Sequence, residues 1–202
     1  MLVIGLTGNL GTGKTTVCEM LAELGAVVID ADKLGHELFQ SHSHAYEEVV
    51  AAFGKSILNL DQAIDRNKLG QLVFDNATAL SRLNQIMHPK IYEITRERIE
   101  QYRKQGTEVV VLEAALLIEA DWPSLVDKIW VTMAPEAEIV KRLKSQRGLD
   151  EGQILARLHS QMPSQEKVKQ ADVVVDTGCQ LDELKTEVTR LWQKYRVNGV
   201  ES

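Results

Sequence analysis

The sequence predicts an α/β fold in which a parallel sheet is covered by helices on both faces, with a helical lobe inserted into it. Short apolar runs typical of buried strands alternate with segments of helical periodicity. The first apolar run, 2–6, leads through a glycine-rich loop directly into a helix, which is the order of a βα unit. Residues from about 33 to 105 have a helical pattern, and this is more chain than a simple crossover between strands needs.

The glycine-rich loop after the first strand is an uninterrupted G-x-x-x-x-G-K-T pattern, which in this context is a P-loop. Its glycines let backbone N–H groups approach and surround a polyphosphate. Lys14 supplies a point charge for the β- and γ-phosphates, the Thr15 hydroxyl can ligate Mg²⁺, and the helix N-terminus favours negative charge. A turn that binds nothing is the alternative. The prediction is a P-loop NTPase-like core with these nucleotide-binding residues: Gly8, Gly11, Thr12, Gly13, Lys14, Thr15 and Thr16.

Two acidic residues, Asp30 and Asp32, follow the second predicted strand at 27–29. The carboxyl end of a strand in an open α/β sheet faces the ligand crevice, and residues i and i+2 of an extended segment share a face. Both are therefore candidates for accepting a proton from an acceptor group and for contacting Mg²⁺, and Asp30 is the predicted metal contact. In the alternative, one of them caps a helix that begins near Lys33.

The helical stretch from 33 to 105 is expected to break at Gly54, at 59–65 and at His88-Pro89. Arg66 is placed in a short loop, where it either meets an acceptor phosphate or pairs with the surroundings of Asp65. His88 is either a half-buried imidazole at a helix boundary or a substrate contact. The size of the insertion favours a separate substrate-binding lobe.

Three more strands are expected, at 108–112, 128–132 and 171–176. The first ends at Glu113, in the manner of a Walker-B strand with Glu in place of Asp. After the last strand comes a helix with an apolar face at helical spacing, which predicts packing against the core. That face consists of Leu181, Leu184, Val188, Leu191, Trp192 and Tyr195.

A basic helical hairpin is predicted between the last two strands. Pro135 opens its first helix, which runs to about Arg147-Gly148, and the second spans about 150–162. Arg142 and Arg147 can supply positive charge to a transferring phosphoryl group, and any one basic residue here can instead be solvated surface. The hairpin indicates a lid, and the full basic set is Lys141, Arg142, Lys144, Arg147 and Arg157.

Composition and the absence of certain motifs exclude several classes of nucleotide-binding protein. The 202 residues carry 23 Lys and Arg against 29 Asp and Glu, a net charge of −6, which disfavours a nucleic-acid partner. No apolar run has the length of a membrane span or a signal peptide, and two distant cysteines suggest no disulfide framework, so we expect a cytoplasmic protein without a membrane partner. The N-K-x-D motif of guanine specificity has only a near match at 67–70, which ends in Gly. A small-molecule kinase is therefore favoured over a regulatory GTPase or a motor ATPase.

The ordered set of motifs resembles the dephospho-CoA kinase family along essentially the whole chain. The residues that carry the resemblance are Leu6-Thr7-Gly8, Asp30-Ala31-Asp32, Asp65-Arg66, Leu69-Gly70, Val73-Phe74, His88-Pro89, Leu116-Leu117-Ile118-Glu119 and 171–176. The resemblance implies ATP-dependent phosphorylation of the ribose 3′-hydroxyl of dephospho-CoA, the last step of coenzyme A synthesis. It also implies a sheet core, a helical substrate lobe and a lid, which we place at about 1–32, 106–140 and 166–202, at about 33–105, and at about 141–165. We expect a monomer or weak homo-oligomer.

The resemblance implies residue roles as well. Asp32 matches the base that takes the 3′-hydroxyl proton, Lys14 and Thr15 the phosphate and Mg²⁺ groups, and Arg142 a lid arginine, with Arg147 also near the nucleotide. Arg66, His88 and Leu116 are implied to contact dephospho-CoA. The turn from Asp176 to Gly178 is implied to hold the adenine. Two departures from the family pattern are Asn9, where Gly is common, and Glu113, where the shorter Asp is usual. Another small-molecule or nucleoside-monophosphate kinase, and a non-catalytic nucleotide switch, remain the alternative functions.

Overall fold

The computed structural model describes residues 1–40, 43–74, 76–148 and 150–198. The strands in this part of the chain are β1 (Leu2–Thr7), β2 (Val27–Asp30), β3 (Val109–Glu113), β4 (Lys128–Met133) and β5 (Val173–Asp176). The α-helices are α1 (Lys14–Glu23), α2 (Ala31–Glu37), α3 (His44–Phe53), α4 (Arg66–Phe74), α5 (Ala77–Lys104), α6 (Glu136–Arg147), α7 (Glu151–His159), α8 (Ser164–Val168) and α9 (Leu181–Asn198). Short 3₁₀ turns lie at Lys55–Ile57 and Pro123–Leu125.

The five strands form one parallel sheet in the order β2-β3-β1-β4-β5, which confirms the predicted α/β class. The register pairs Leu6 with Glu113 and Asp30 with Glu113. On the other side of β1, Thr7 pairs with Val131. Because all strands run the same way, their carboxyl ends share one edge of the sheet, and the P-loop and both acidic strand ends lie along that edge.

Two compact units divide the chain: Met1–Asp30 with Ile99–Ser202, and Ala31–Arg98. In the first unit, one face of the sheet packs against α1 and α9. Fully buried side chains from both layers meet there, including Val17, Val111, Trp130 and Val188. Leu181 was predicted to join this face, but it is 62% exposed, since it is the first residue of α9 and precedes the part of the helix that meets the core.

The hairpin of α6 and α7 belongs to the same unit and has its own apolar cluster. Ile139 and Leu143 of α6 pack with Ile154 and Leu158 of α7. Between the helices, Gly148 adopts the left-handed conformation with φ 61°, and the Asp150 carboxylate caps α7 by accepting the Gln153 N–H. The second helix is shorter than predicted, and the additional helix α8 follows it.

The second unit is helical and has a separate core built mainly from α3, α4 and α5. Its buried apolar residues are Ala45, Val49, Ile57, Leu58, Ile64, Leu69, Val73 and Met87. Ser43 caps α3 by accepting the Tyr46 N–H, and an antiparallel bridge between Leu58 and Ile64 closes the loop that precedes α4. The predicted breaks at Gly54 and at 59–65 are confirmed.

Three local predictions in this unit were wrong. Asp32 is not extended but is the second residue of α2, so the i, i+2 alternation does not relate it to Asp30, and it lies inside the helix rather than capping it. Arg66 is the first residue of α4 and not part of a loop. Helix α5 continues through Pro89 with no break at His88, because a helix of 28 residues with a packed face tolerates one missing hydrogen bond.

Candidate active site

The P-loop joins β1 to α1 in a conformation that its glycines make possible. Gly11 and Gly13 have φ near +76° and +77°, in the left-handed region that side chains disfavour. At Gly8, an added Cβ would lie 2.6 Å from the carbonyl oxygen of Thr132. Gly13 starts α1 without a side-chain cap, and a helix N-terminus of this kind favours a bound anion. A phosphate cradle therefore fits this loop.

Lys14 folds back over the loop that precedes it. Its Nζ donates hydrogen bonds to the carbonyl oxygens of Gly8 at 2.8 Å and Asn9 at 3.2 Å. These bonds hold the ammonium group on the loop itself, where a bound polyphosphate would meet it.

Thr15 links the P-loop to the acidic end of β3. Its hydroxyl donates a hydrogen bond to Glu113 Oε1 at 3.0 Å. A hydroxyl whose proton is engaged in this way has its lone pairs free for a cation. Glu113 is in turn the register partner of Asp30, so two carboxylates stand side by side at the ends of β2 and β3.

The thiol of Cys18, one turn beyond Thr15, lies close enough to this acidic pair for its pKa to be affected. Burial raises the pKa of Cys18 well above its ordinary value, and the charge of Glu113, a hydrogen bond with it and the charge of Asp30 raise that pKa further. Cys18 is therefore a neutral packing residue, and not a nucleophile.

This arrangement suits Mg²⁺ held partly by phosphate oxygens. Among the described residues, no three or more His, Cys, Asp or Glu side chains form a group that could hold a metal ion. Mg²⁺ characteristically uses one or two protein oxygens together with substrate phosphates and waters. A hydroxyl and two neighbouring carboxylates are enough for that role.

Buried threonines connect the P-loop to β4 and β5. The Thr12 hydroxyl donates to the Asn9 carbonyl at 2.7 Å and lies 2.8 Å from the Thr132 hydroxyl. The Thr177 hydroxyl, just after β5, donates to the Thr12 carbonyl at 2.9 Å. All three residues are at most 2% exposed. Such sheltered hydrogen bonds fix the loop against the sheet.

Arg142 of α6 attaches the hairpin to the turn after β5. Its guanidinium donates to the hydroxyl of Thr177 at 3.3 Å and to the carbonyl oxygen of the same residue. In that turn, the Gly178 N–H donates to Asp176 Oδ1 at 2.8 Å. Arg142 thus lies beside the predicted adenine turn. Arg147 ends α6, and its side chain lies outside the described part of the chain.

A buried lysine supports the segment after β3. Lys167 of α8 is 0% exposed, and its Nζ donates to the Ala115 carbonyl at 2.8 Å and lies 2.8 Å from Glu119 Oε1. The Thr7 hydroxyl donates to the same carbonyl at 3.2 Å. Next in the chain is Leu116, a predicted substrate contact, which is 36% exposed.

A comparison with known proteins identifies the family of this chain. A sequence model of the dephospho-CoA kinase family matches residues 2–183. The chain belongs to the dephospho-CoA kinase family. This membership confirms the resemblance expected from the ordered motifs.

Individual dephospho-CoA kinases align over nearly the whole chain. The enzyme from Carboxydothermus hydrogenoformans is 42% identical over 96% of this chain and 94% of that protein. The one from Dehalococcoides mccartyi is 40% identical over 95% of this chain and 96% of that protein. The solved structure of a dephospho-CoA kinase from Campylobacter jejuni superposes with a TM-score of 0.73 at 26% identity, covering 98% of each chain.

The remaining predicted site residues, Asp32, Arg66 and His88, lie in the second unit. Asp32 occupies the first turn of α2. Near Arg66, Asp65 caps α4 by accepting the N–H groups of residues 67 and 68, and its carboxylate lies 4.0 Å from Lys68 Nζ. The ion pair seen here for Asp65 is therefore with Lys68. Burial lowers the pKa of His88, so its imidazole is neutral at pH 7.

Several residues that contact the P-loop or the end of β3 could not be identified as site residues from the sequence. Thr132 is the next-to-last residue of β4 and Thr177 lies within the predicted adenine turn, so a polar residue near a strand end was the available clue. Lys167 and Gln161 offered no such clue, since their hydrogen-bond and ion-pair partners are distant in the chain.

Proposed function

We propose that this protein transfers the γ-phosphoryl group of ATP to the ribose 3′-hydroxyl of dephospho-CoA, giving coenzyme A and ADP. The observation that carries the proposal is a P-loop whose Thr15 hydroxyl bonds to Glu113, in a chain of the dephospho-CoA kinase family. Phosphoryl transfer asks mainly for positioning and for stabilisation of charge, which this arrangement supplies.

In this reaction the bond between the γ-phosphorus and the bridging oxygen of ADP breaks. A new bond forms between that phosphorus and the 3′-oxygen, whose proton passes to a carboxylate. We assign the proton to Asp32, which matches the family's base. Lys14 and the N–H groups at the start of α1 stabilise the phosphate charge, and Arg142 and Arg147 add positive charge from the hairpin.

We propose a Mg²⁺ site at Thr15, with Glu113 and Asp30 supporting it. When bound, the ion would neutralise charge on the phosphate oxygens. The Thr15–Glu113 hydrogen bond of 3.0 Å supports this assignment, because it engages the hydroxyl proton and would leave the oxygen lone pairs for a cation. For the acceptor we propose Arg66, His88 and Leu116 as dephospho-CoA contacts, and for adenine the turn from Asp176 to Gly178.

The direct test is ADP release from Mg·ATP with dephospho-CoA, with nucleoside monophosphates, and without an acceptor, followed by mass analysis of the product. We expect one phosphate added to dephospho-CoA only, at its ribose. Turnover with a monophosphate alone would refute the acceptor. Nucleotide binding without any acceptor-dependent turnover would instead favour a switch.

The proposed base is tested with Asp32→Asn. We expect kcat to fall about 10²–10⁴-fold with little change in ATP affinity, because a positioned base contributes about that much. Asp61→Asn is the matched control, since Asp61 is an exposed loop residue whose Oδ1 accepts a local N–H that an asparagine can also accept. Near-normal turnover of Asp32→Asn would remove this residue from catalysis.

The phosphate clamp is tested with Lys14→Ala. Removing it is expected to lower kcat/KM about 10²–10³-fold, the usual result of losing one charge-stabilising donor. The exposed Lys104 at the end of α5 provides the control substitution, Lys104→Ala. Equal activities of the two variants would contradict the role of Lys14.

We also propose that the enzyme works in the cytoplasm as a monomer or weak homo-oligomer. Both cysteines, Cys18 and Cys179, are free thiols, which fits a reducing compartment. None of the helices described is long and apolar enough to cross a membrane. Light scattering coupled to size-exclusion chromatography at several concentrations tests the oligomeric state.

A further inference from the structure

The segment that follows α7 is bonded to the second and third residues of the P-loop. Gln161 Oε1 accepts the backbone N–H of Leu10 at 2.8 Å. The next residue, Met162, accepts a hydrogen bond from Asn9 Nδ2 through its carbonyl oxygen at 3.1 Å. These two bonds join residues about 150 positions apart in the chain.

Apolar contacts hold the same part of the loop from the hairpin side. The Leu10 side chain packs against the cluster formed by α6 and α7. At Gly11 the fit is tight, since an added Cβ would lie 2.8 Å from Ile139 and 3.1 Å from Leu143. Residues 10 and 11 are therefore in close contact with the hairpin.

Asn9 makes the second hydrogen bond between the P-loop and the segment after α7. It is only 5% exposed, and its buried Oδ1 has no hydrogen-bond partner among the residues that the structure describes. An unpaired buried acceptor costs free energy, and the hydrogen bond that the amide nitrogen donates to Met162 offsets part of that cost.

We propose that Gln161 is a positioning residue for the nucleotide: through the Leu10 N–H it links the α6–α7 hairpin to the P-loop and keeps the loop ready for phosphate. A loop ordered before binding does not have to be ordered by the ligand, and this raises affinity. The inference rests on the proposed function only in taking a nucleotide as the ligand of the P-loop.

The test compares Gln161→Met with Gln165→Met, which changes an exposed glutamine on α8. Calorimetry of the purified full chain measures the affinity for Mg·ADP and for adenosine, which has no phosphates. We expect Gln161→Met to weaken Mg·ADP binding about fivefold to tenfold, as the loss of one hydrogen bond predicts, and to leave adenosine binding unchanged. Gln165→Met should match wild type for both.

A third variant separates positioning from folding. Gln161→Glu keeps an acceptor for the Leu10 N–H, so its melting temperature should stay near that of wild type. Its added negative charge should weaken Mg·ADP binding, and this weakening should shrink as salt is raised. Because the acceptor is kept, the affinity of Gln161→Glu for Mg·ADP should return to near that of wild type at high salt. If Gln161→Met does not fold, failure of this recovery would overturn the role of Gln161.

Two further results would overturn the proposal: wild-type affinity of Gln161→Met for Mg·ADP, or equal weakening of Mg·ADP and adenosine, which indicates general structural damage. The result of this binding test does not depend on which molecule accepts the phosphoryl group. If wild type binds Mg·ADP but does not phosphorylate dephospho-CoA, the proposed function fails, while the comparison of nucleotide affinities still decides the role of Gln161.

Discussion

Substituting Glu113 by Asp provides a quantitative test of how the acidic edge supports the proposed Mg²⁺ site. Removing one methylene retracts the carboxylate by about 1.5 Å. The present 3.0 Å bond from the Thr15 hydroxyl would open to about 4.5 Å, which is beyond hydrogen-bond range. A bond to a charged group contributes about 1.5–3 kcal/mol when sheltered, and about 1 kcal/mol is reasonable at this exposed position. That is about a fivefold change in a binding constant.

The assay is the initial rate of ADP release at saturating ATP and dephospho-CoA as Mg²⁺ is titrated. We expect the half-saturating Mg²⁺ concentration of Glu113→Asp to rise about fivefold. Glu108→Asp is the control, because Glu108 precedes the same strand at its other end and pairs with Arg196. An unchanged Mg²⁺ dependence in Glu113→Asp would refute the reasoning. The expected loss holds although Asp is the residue usual in the family at this position, because here the carboxylate has to reach the Thr15 hydroxyl.

Three further predictions concern the loop, the thiols and the second unit. Gly11→Ala should destabilise the fold by about 1–3 kcal/mol more than Gly106→Ala in urea unfolding, because both have φ 76° but only Gly11 has close neighbours for a Cβ. A maleimide should label the exposed Cys179 of the native protein and spare Cys18, since burial raises the pKa of the Cys18 thiol; mass mapping that finds equal labelling would contradict this. Burial lowers the pKa of His88 below its ordinary value near 6.5, so the unfolded state binds more protons there and stability should fall as pH drops below about 6.5. His88→Gln should reduce that fall in urea midpoints measured at pH 5.5 and 7.5.

The fold class was predictable because its signals are local. A buried strand shows itself as a short apolar run, and the G-x-x-x-x-G-K-T pattern fixes where the first strand ends and the first helix begins. The errors arose where tertiary packing outweighs local preference. Proline at position 89 predicts a helix boundary, yet the packed face of α5 carries the helix across it.

Site residues could be predicted from the sequence where one residue type performs one chemical task. Lys14 and Thr15 follow from phosphate and cation chemistry, and Glu113 from its place at the end of a strand. Asp32 was assigned through an extended geometry that the structure replaces with the first turn of α2. Its proposed role as base now depends on the family match, which is why Asp32→Asn is needed.

The least predictable part of the site is the segment from 161 to 167, because its partners are brought together only by folding. At one end, Gln161 accepts the Leu10 N–H of the P-loop. At the other end, Lys167 binds the Ala115 carbonyl just after β3, which Thr7 at the end of β1 also contacts. A buried ammonium group is tolerated only when it is paired, and the nearby Glu119 meets that need. One short segment after the hairpin therefore fixes both the P-loop and the strand end that carries Glu113, so a disturbance of this segment should change phosphate and metal binding together.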